Sequence, residues 1–157
     1  MRLLLLLLLS TTAGQAAAQN AKEEKEVRCL ALNIYFEARG EPTDGQFAVG
    51  LVTMNRVQSP RYPDSVCEVV WQPRQFSWTH DGKSDHPYEQ QAWDRAQHIA
   101  NFIYHKYRTL PERARAALDR TKGALHYYAP KLADPYWARL KQITFSAGGH
   151  VFLRGNS

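Results

Sequence analysis

A helix-breaking step at Gly40-Glu41-Pro42 constrains the fold more than any other feature of the sequence, because it separates two stretches with apolar residues at helical spacing. Residues 27–39 repeat apolar side chains every four positions, and this period predicts a helix that ends near Arg39. Gly40 suits a left-handed helix cap, and Pro42 forbids continuation of the same helix. The sequence therefore predicts two consecutive helices joined by a very short turn.

The rest of the chain predicts further helices and then a small sheet. Thr43-Asp44-Gly45-Gln46 and Ser65-Val66-Cys67-Glu68 both have the spacing of a capping box, in which a side chain caps the first turn of a helix. The predicted elements are helices over about 43–57, 65–71, 87–107 and 110–119, a loop over 72–85, a strand over 125–128, and a hairpin containing 143–145 and 151–153 around Gly148-Gly149. The predicted fold class is α+β: one mostly helical domain with a small antiparallel sheet near the C-terminus.

The N-terminal residues 1–18 have the composition of a secretory signal peptide. Arg2 precedes seven consecutive leucines, and Ala16-Ala17-Ala18 fits a cleavage site for small residues. The leucine run is far shorter than the roughly 20 residues that cross a bilayer. We expect cleavage after Ala18, a charged lead-in over 19–27, a single domain over 28–157, and a location in the periplasm or cell envelope without stable membrane insertion. A retained N-terminal anchor is the alternative.

Two cysteines, Cys29 and Cys67, are compatible with one disulfide in an exported protein. Closing a loop of this length would contribute about 3–4 kcal/mol to stability in the chain-entropy description. Two buried, reduced thiols are the alternative. Neither cysteine has the neighbouring Cys-x-x-Cys or histidine spacing of a zinc site, so the sequence predicts no metal and no cofactor.

The charge of the chain favours an anionic partner without identifying it. The formal net charge is +5 at pH 7, which suits an anionic wall polymer and would equally suit nucleic acid. Export and the lack of a nucleic-acid-binding motif argue against nucleic acid. We therefore expect an envelope polymer as the partner.

Glu37 is the strongest candidate for a catalytic group. It falls in the last turn of an apolar helix, where the helix dipole disfavours a carboxylate, and it follows the aromatic residue Phe36. Both conditions raise a carboxyl pKa. A carboxylic acid that stays protonated near neutral pH is what the cleavage of a glycosidic bond requires. The alternative is an ordinary solvated or ion-paired glutamate.

Several separated segments resemble the SleB-type cell wall hydrolases, a family that includes spore cortex-lytic enzymes. The segments are Ile34-Tyr35-Phe36-Glu37-Ala38-Arg39-Gly40-Glu41-Pro42, Gly45-Gln46, Ala48-Val49, Asn55-Arg56-Val57, Tyr62-Pro63, Val66-Cys67, Val69-Val70, Gln75-Phe76-Ser77, His126-Tyr127-Tyr128, Pro135-Tyr136-Trp137 and Gly149-His150-Val151-Phe152. The resemblance implies a lysozyme-like fold with a groove between helices and sheet, and peptidoglycan glycan strands as substrate. It also implies lytic transglycosylase chemistry with Glu37 as the single acid and base.

Seven further residues are candidates for binding the glycan strand. Amides, hydroxyls and aromatic rings bind sugars, and alternation along the late strand places His126 and Tyr128 on one face and Tyr127 on the other. We expect the first two in the groove. Glu41 is a candidate second carboxylate, the alternative being an ion pair with Arg39 or Arg56. The candidate binding residues are Gln75, Ser77, Trp78, His126, Tyr128, Trp137 and Glu41.

Three other functions remain open from the sequence. Lysozyme-type hydrolysis would use water and usually a second carboxylate. A zinc amidase acting on the stem peptide would need a compact ligand set such as His-Glu-x-x-His, which the sequence lacks. A non-catalytic glycan-binding module would have no use for the complete motif around Glu37.

Overall fold

The computed structural model describes the backbone of residues 2–155 and the side chains of residues 14–155. The helices are α1 (Arg2–Ala38), α2 (Thr43–Val57), α3 (Val66–Val70), α4 (Gln90–His105) and α5 (Glu112–Leu118). The strands are β1 (His126–Tyr128), β2 (Lys141–Ala147) and β3 (His150–Gly155). Single 3-10 turns lie at Ser77–His80, Tyr107–Thr109 and Tyr136–Leu140. The predicted fold class, mostly helical with a small antiparallel sheet late in the chain, is confirmed.

The C-terminal half of α1 is the centre of the helical layer. Its buried side chains pack against α2, α3 and α4, and Leu30, Ile34 and Tyr35 are fully enclosed. This burial follows from the four-residue apolar period, which places one stripe of α1 against three neighbours. Because α1 ends at Ala38, residue 37 lies in its last turn, at the edge of the core.

The turn between α1 and α2 differs from its prediction in two ways. Gly40 does not adopt a positive φ, and Glu41 N instead donates to the carbonyl oxygen of Ala38 (2.9 Å). The predicted capping box at Thr43 is also wrong, since Pro42 is the N-cap residue of α2 and no side chain caps that end. The fixed φ of proline already suits the start of a helix, so no side-chain cap is needed to begin α2 there.

The N-terminal segment forms the first part of α1. The charged lead-in over 19–27 is helical, and its last two residues, Glu26 and Val27, are buried. The predicted signal peptide rests on leucines at 3–9 whose side chains lie outside the described residues. In the described part of the chain, no helix combines the length and hydropathy that a membrane span requires.

A disulfide and a buried carboxylate attach α3 to α1. Cys29 and Cys67 form the predicted disulfide, with their Cα atoms 5.2 Å apart. Glu26 Oε2 accepts hydrogen bonds from the first two backbone N–H groups of α3, at 2.6 and 3.2 Å. Ser65 Oγ accepts from the backbone N–H of Glu68 (3.3 Å), as the second predicted capping box requires. These contacts fix the start of the loop that follows α3.

The three strands form an antiparallel sheet in the order β1-β3-β2. Gly148, with φ +56°, provides the left-handed residue that the predicted β2–β3 hairpin turn needs. Phe152 is buried between this sheet and the Ala48 and Val52 side chains of α2. Tyr127 is paired with Phe152 across β1 and β3, so its side chain also points toward the helices. The sheet therefore closes over the end of α1.

Candidate functional site

Glu37 is held at the junction of α1 and the sheet. The hydroxyl of Tyr127 donates a hydrogen bond to Glu37 Oε2 across 3.0 Å. Burial raises the pKa of the Glu37 carboxyl above its ordinary value, while the Tyr127 hydrogen bond and the charge of Arg56 act in the opposite direction. Among the described residues, no hydrogen bond reaches the other carboxyl oxygen, Oε1. The described part of the chain thus fixes one carboxyl oxygen through a hydrogen bond and leaves the other without one.

Tyr127 is a hydrogen-bond donor at every pH of interest. Burial and the neighbouring carboxylate raise the pKa of its phenol well above the ordinary value. Its ring also contacts the rings of His150 and Phe152, with centroids 5.5 and 5.6 Å away. These contacts fix the phenol, so that its hydroxyl defines the position of the Glu37 carboxyl.

Arg56 is a buried cation beside Glu37. Its Nε donates to the carbonyl oxygen of Leu125 (2.8 Å), immediately before β1. The Gln75 amide oxygen, turned toward the guanidinium, accepts from both terminal nitrogens at 2.9 and 3.2 Å. Burial lowers the pKa of Arg56, and the negative charge of Glu37 is among the groups that raise it. Arg56 thus connects α2, the loop after α3 and the sheet around one carboxyl group.

A cavity of about 450 Å³ opens beside Glu37. Its size falls in the range of ligand-binding clefts in enzymes. Glu37 is its only acidic lining residue among the described residues, and three cations, Arg56, Arg74 and Lys141, line the same cavity. The lining residues are Glu37, Arg56, Arg74, Gln75, Phe76, Ser77, His126, Tyr127, Trp137 and Lys141.

Four of the predicted binding residues line this cavity: Gln75, Ser77, His126 and Trp137. Burial and the nearby cations, Lys141 foremost, lower the pKa of His126 to about 4. Its imidazole is therefore neutral at neutral pH and can both donate and accept a hydrogen bond. The ring of Trp137 lies 5.6 Å from that of His126 and remains partly exposed, which leaves part of its surface available for stacking against a sugar.

Three of the predicted binding residues do not line the Glu37 cavity. Tyr128 packs edge-on against Trp137, a residue that does line the cavity, with ring centroids 5.8 Å apart. Trp78 is buried, where its indole Nε1 donates to Asn33 Oδ1 (3.3 Å) and its ring stacks on Phe36. Trp78 therefore supports the wall of the site from behind.

Glu41, the third of these residues, is a structural anchor. Its Oε2 accepts a hydrogen bond from the backbone N–H of Gly149 (2.6 Å), and its Oε1 lies 3.6 Å from His150 Nδ1. The alternative, an ion pair with Arg39 or Arg56, is not formed either: Arg39 pairs with Glu89 at 2.9 Å, and Arg56 Nε donates to the carbonyl oxygen of Leu125. Glu41 holds the β2–β3 turn against the α1–α2 turn, and this places its carboxylate outside the cavity.

The predicted site residues did not include five residues that line the cavity: Arg56, Arg74, Phe76, Tyr127 and Lys141. The alternation of side chains along β1 predicts that Tyr127 lies on the opposite face of the sheet from His126 and Tyr128. It does not show which of the two faces packs against the helices. The charge of Arg56 in an otherwise apolar stretch of α2 was a signal, since a buried arginine normally has a specific partner. The sequence contains no comparable signal for Arg74; in the structure, this residue has a positive φ of 63°, which is unusual for a residue other than glycine.

A second cavity of about 570 Å³ adjoins the first, and both are lined by Ser77. Its walls are the loop 81–88 and the side chains of Phe36, Arg39 and Trp78. Arg39 is fixed there, because its guanidinium donates to Glu89 Oε1 (2.9 Å) and to the hydroxyl of Tyr88 (3.0 Å). The two cavities thus share Ser77 and are lined by consecutive residues of α1, Phe36 and Glu37.

Two solved structures share this architecture. The catalytic domain of the Bacillus cereus SleB protein superposes with a TM-score of 0.63 at 28% sequence identity, covering 83% of this chain and 91% of that one. The catalytic domain of the germination-specific lytic transglycosylase SleB from Bacillus anthracis gives a TM-score of 0.62 at 29% identity, covering 82% and 93%.

Curated sequences give the same relationship over a shared segment. The spore cortex-lytic enzyme of Halalkalibacterium halodurans is 30% identical over 136 residues, which cover 82% of this chain and 34% of that protein. The corresponding enzyme of Bacillus subtilis is 31% identical over 134 residues, which cover 81% and 37%. This chain thus spans about a third of the length of these two relatives.

A family profile described as Cell Wall Hydrolase matches residues 40–153, beginning three positions after Glu37. The match covers α2, the cavity loop, β1, β2 and most of β3. The resemblance that the separated motifs predicted is confirmed by this profile, by the relatives and by the shared fold. The chain belongs to the cell wall hydrolase family.

Proposed function

We propose that this protein cleaves the glycan strands of peptidoglycan as a lytic transglycosylase, with Glu37 as its single acid and base. The observation that carries the proposal is the position of Glu37: a carboxyl group of raised pKa, fixed through one oxygen by Tyr127, beside a cavity large enough for a sugar. A buried carboxylic acid of this kind can protonate a glycosidic oxygen near neutral pH.

The reaction needs one proton donor that later becomes a proton acceptor. Glu37 transfers its proton to the oxygen of the glycosidic bond, and that bond to the anomeric carbon breaks. The C6 hydroxyl of the same sugar then attacks the anomeric carbon, and its proton passes to the Glu37 carboxylate. The products are a 1,6-anhydro sugar and a strand with a free hydroxyl, Glu37 is protonated again, and no water is consumed.

The surroundings of Glu37 suit both stages of this cycle. Burial favours the protonated acid before bond cleavage. After proton transfer, the Tyr127 hydroxyl and the Arg56 cation stabilise the carboxylate that remains. These opposing influences act on the same carboxyl group, which supports a residue that alternates between acid and base.

The lack of a second acid in the cavity favours transglycosylation over hydrolysis. Hydrolysing enzymes normally place a second carboxylate about 5–10 Å from the first to act as nucleophile or to activate water. Among the described residues, Glu37 is the only acidic side chain that lines its cavity. Glu41 is held by the backbone of Gly149, so it is not free for this role.

The binding contacts would come from the predicted residues that line the cavity and from two cations that the sequence argument missed. Trp137 would stack on a sugar ring, and Gln75, Ser77 and the neutral His126 would hydrogen-bond to hydroxyl and acetamido groups. Arg74 and Lys141 would attract the carboxyl groups of the wall polymer. The name of the Bacillus anthracis relative, a lytic transglycosylase, is consistent with this assignment.

The site of action in this proposal is the periplasm or cell envelope, after removal of residues 1–18. The disulfide between Cys29 and Cys67 suits an oxidising compartment. N-terminal sequencing of the protein purified from an envelope fraction tests the cleavage after Ala18. A mature protein that begins at Gln19 would support export, and an intact N-terminus on a membrane-bound protein would support the retained anchor.

Digestion of purified peptidoglycan in ¹⁸O-labelled water tests the reaction type. Lytic transglycosylation predicts products that end in anhydro-muramic acid and carry no ¹⁸O, because the attacking oxygen belongs to the sugar. Products with a labelled reducing end would show lysozyme-type hydrolysis instead. Release of free stem peptides would show an amidase, and binding without any cleavage would show a glycan-binding module.

A further inference from the structure

The second cavity carries charges of both signs on one rim. Arg39 and Lys83 supply the cations, and Asp81 and Asp85 supply the carboxylates. Asp81 accepts from the backbone N–H of Lys83 (2.9 Å), and the Lys83 side chain is 83% exposed, with its Nζ 3.9 Å from Asp81. Within the described part of the chain, Asp85 takes part in no ion pair. Arg39 is already paired with Glu89, so the charges available to a ligand are those of the exposed Lys83 and of Asp85.

The floor of the same cavity is aromatic and rigid. The rings of Phe36 and Trp78 stack with centroids 4.8 Å apart, and Trp78 is fixed by its hydrogen bond to the buried Asn33. Such a floor suits small apolar groups, whereas the rim suits a ligand with at least one carboxylate and one ammonium. Neutral N-acetylated sugars would make no use of charges of both signs.

We propose that this second cavity binds the peptide stem of the glycan strand that Glu37 cleaves. The two cavities meet at Ser77, and Phe36 directly precedes Glu37, so a branch leaving the sugar beside Glu37 would enter the second cavity. A peptide stem has methyl side chains for the floor, a carboxylate for Lys83 and an ammonium for Asp85. The inference rests on the proposed function and adds the substrate class: stem-bearing glycan.

A comparison of two substrates tests the inference. Intact peptidoglycan and the same glycan strands stripped of stems by an amidase are digested in parallel. The wild-type protein is expected to cleave the stem-bearing strands about fivefold to tenfold faster, as one or two partly exposed charge pairs would produce. Asp85→Asn and Lys83→Gln should slow cleavage of the stem-bearing strands alone. Matched controls are Asp64→Asn and Lys106→Gln, whose exposed side chains do not line the cavity.

A binding measurement separates this inference from the proposed function. A free stem peptide is titrated into the protein while the indole N–H of Trp78 is followed by NMR. A shift of that signal in the wild type, lost in the Lys83→Gln and Asp85→Asn double variant, supports the cavity assignment whether or not cleavage occurs. No shift, together with equal cleavage of both substrates, overturns the inference and leaves the role of Glu37 standing.

Discussion

Tyr127 donates its hydroxyl hydrogen to Glu37 Oε2 across 3.0 Å, although the two residues are 90 positions apart in the chain. The bond joins the last turn of α1 to strand β1, and so it connects the helical layer to the sheet. The environment of the Glu37 carboxyl therefore depends on the contact between α1 and the sheet, and not on α1 alone. Its protonation, its orientation and the stability of the fold are all linked at this contact.

Tyr127→Phe should separate the orienting hydrogen bond from the packing of the ring. The bond lowers the pKa of the Glu37 carboxyl, so its loss raises that pKa and moves the alkaline limb of the pH–rate profile to higher pH. The maximal rate should fall about 10-fold to 100-fold, because the carboxyl loses the donor that positions it. Tyr128→Phe is the matched control, since Tyr128 packs on Trp137. An alkaline limb that stays in place would contradict this role.

Glu37→Gln should stabilise the folded protein at neutral pH. Burial raises the folded-state pKa of Glu37 above 4.5, so the folded protein binds this proton more tightly than the unfolded chain does. Stability is therefore lost as pH rises from about 4.5 through the folded pKa, and the loss persists above it. In thermal unfolding, the Tm of Glu37→Gln minus that of the wild type should increase as the pH is raised from 4 to 8.

The exposed Glu112, on α5, provides the control for that measurement. Glu112→Gln removes the same formal charge from the surface without removing a buried carboxyl. A Glu37→Gln variant whose Tm falls relative to the wild type as pH rises would show that the folded-state pKa of Glu37 is depressed, and the proposed acid would lose its physical basis.

Removal of the disulfide should destabilise the protein without altering the site. The Cys29→Ala and Cys67→Ala double variant should lose about 3–4 kcal/mol of unfolding free energy, because the unfolded chain regains the freedom of the closed loop. Denaturant unfolding with and without a reductant measures the loss. The reductant should lower the stability of the wild type and leave that of the double variant unchanged. A loss below about 1 kcal/mol would contradict this contribution.

Gly148→Ala should be more destabilising than the same change at Gly123. Both glycines have positive φ, +56° and +76°, but a Cβ at Gly148 would overlap the Glu41 carboxylate and lie 2.7 Å from Pro42 Cδ, whereas at Gly123 nothing lies within 4 Å. We expect a loss of about 3 kcal/mol at Gly148 and about 1 kcal/mol at Gly123. Glu41→Ala should relieve part of the first loss in a double-mutant cycle. Equal losses at the two glycines would show that Glu41 does not constrain the turn.

The sequence was sufficient for the features that depend on local pattern. The spacing of the apolar residues predicted the end of α1 to within one residue. The presence of only two cysteines predicted the Cys29–Cys67 disulfide. Glu37 was proposed from its helix position, its aromatic neighbour and the resemblance of the surrounding motifs to a known family of cell wall hydrolases. The late hairpin followed from Gly148-Gly149 between two β-prone runs.

Features that depend on contacts distant in sequence could not be predicted. The face of β1 that meets the helices is set by the pairing of Tyr127 with Phe152 and by the packing of Phe152 on α2. The role of Glu41 likewise depends on the β2–β3 turn, which lies 108 positions further along the chain. Arg56 has partners in both the loop after α3 and the segment before β1, and periodicity within α2 contains no information about either.

The rate at which Glu37→Gln releases soluble fragments from purified peptidoglycan tests the central claim most directly. The amide retains the shape of the side chain but has no acidic proton to give to the glycosidic oxygen. We predict a rate about 1,000-fold below wild type, with Glu112→Gln indistinguishable from wild type. A folded Glu37→Gln protein that releases anhydro-muramic acid fragments at the wild-type rate would contradict the account.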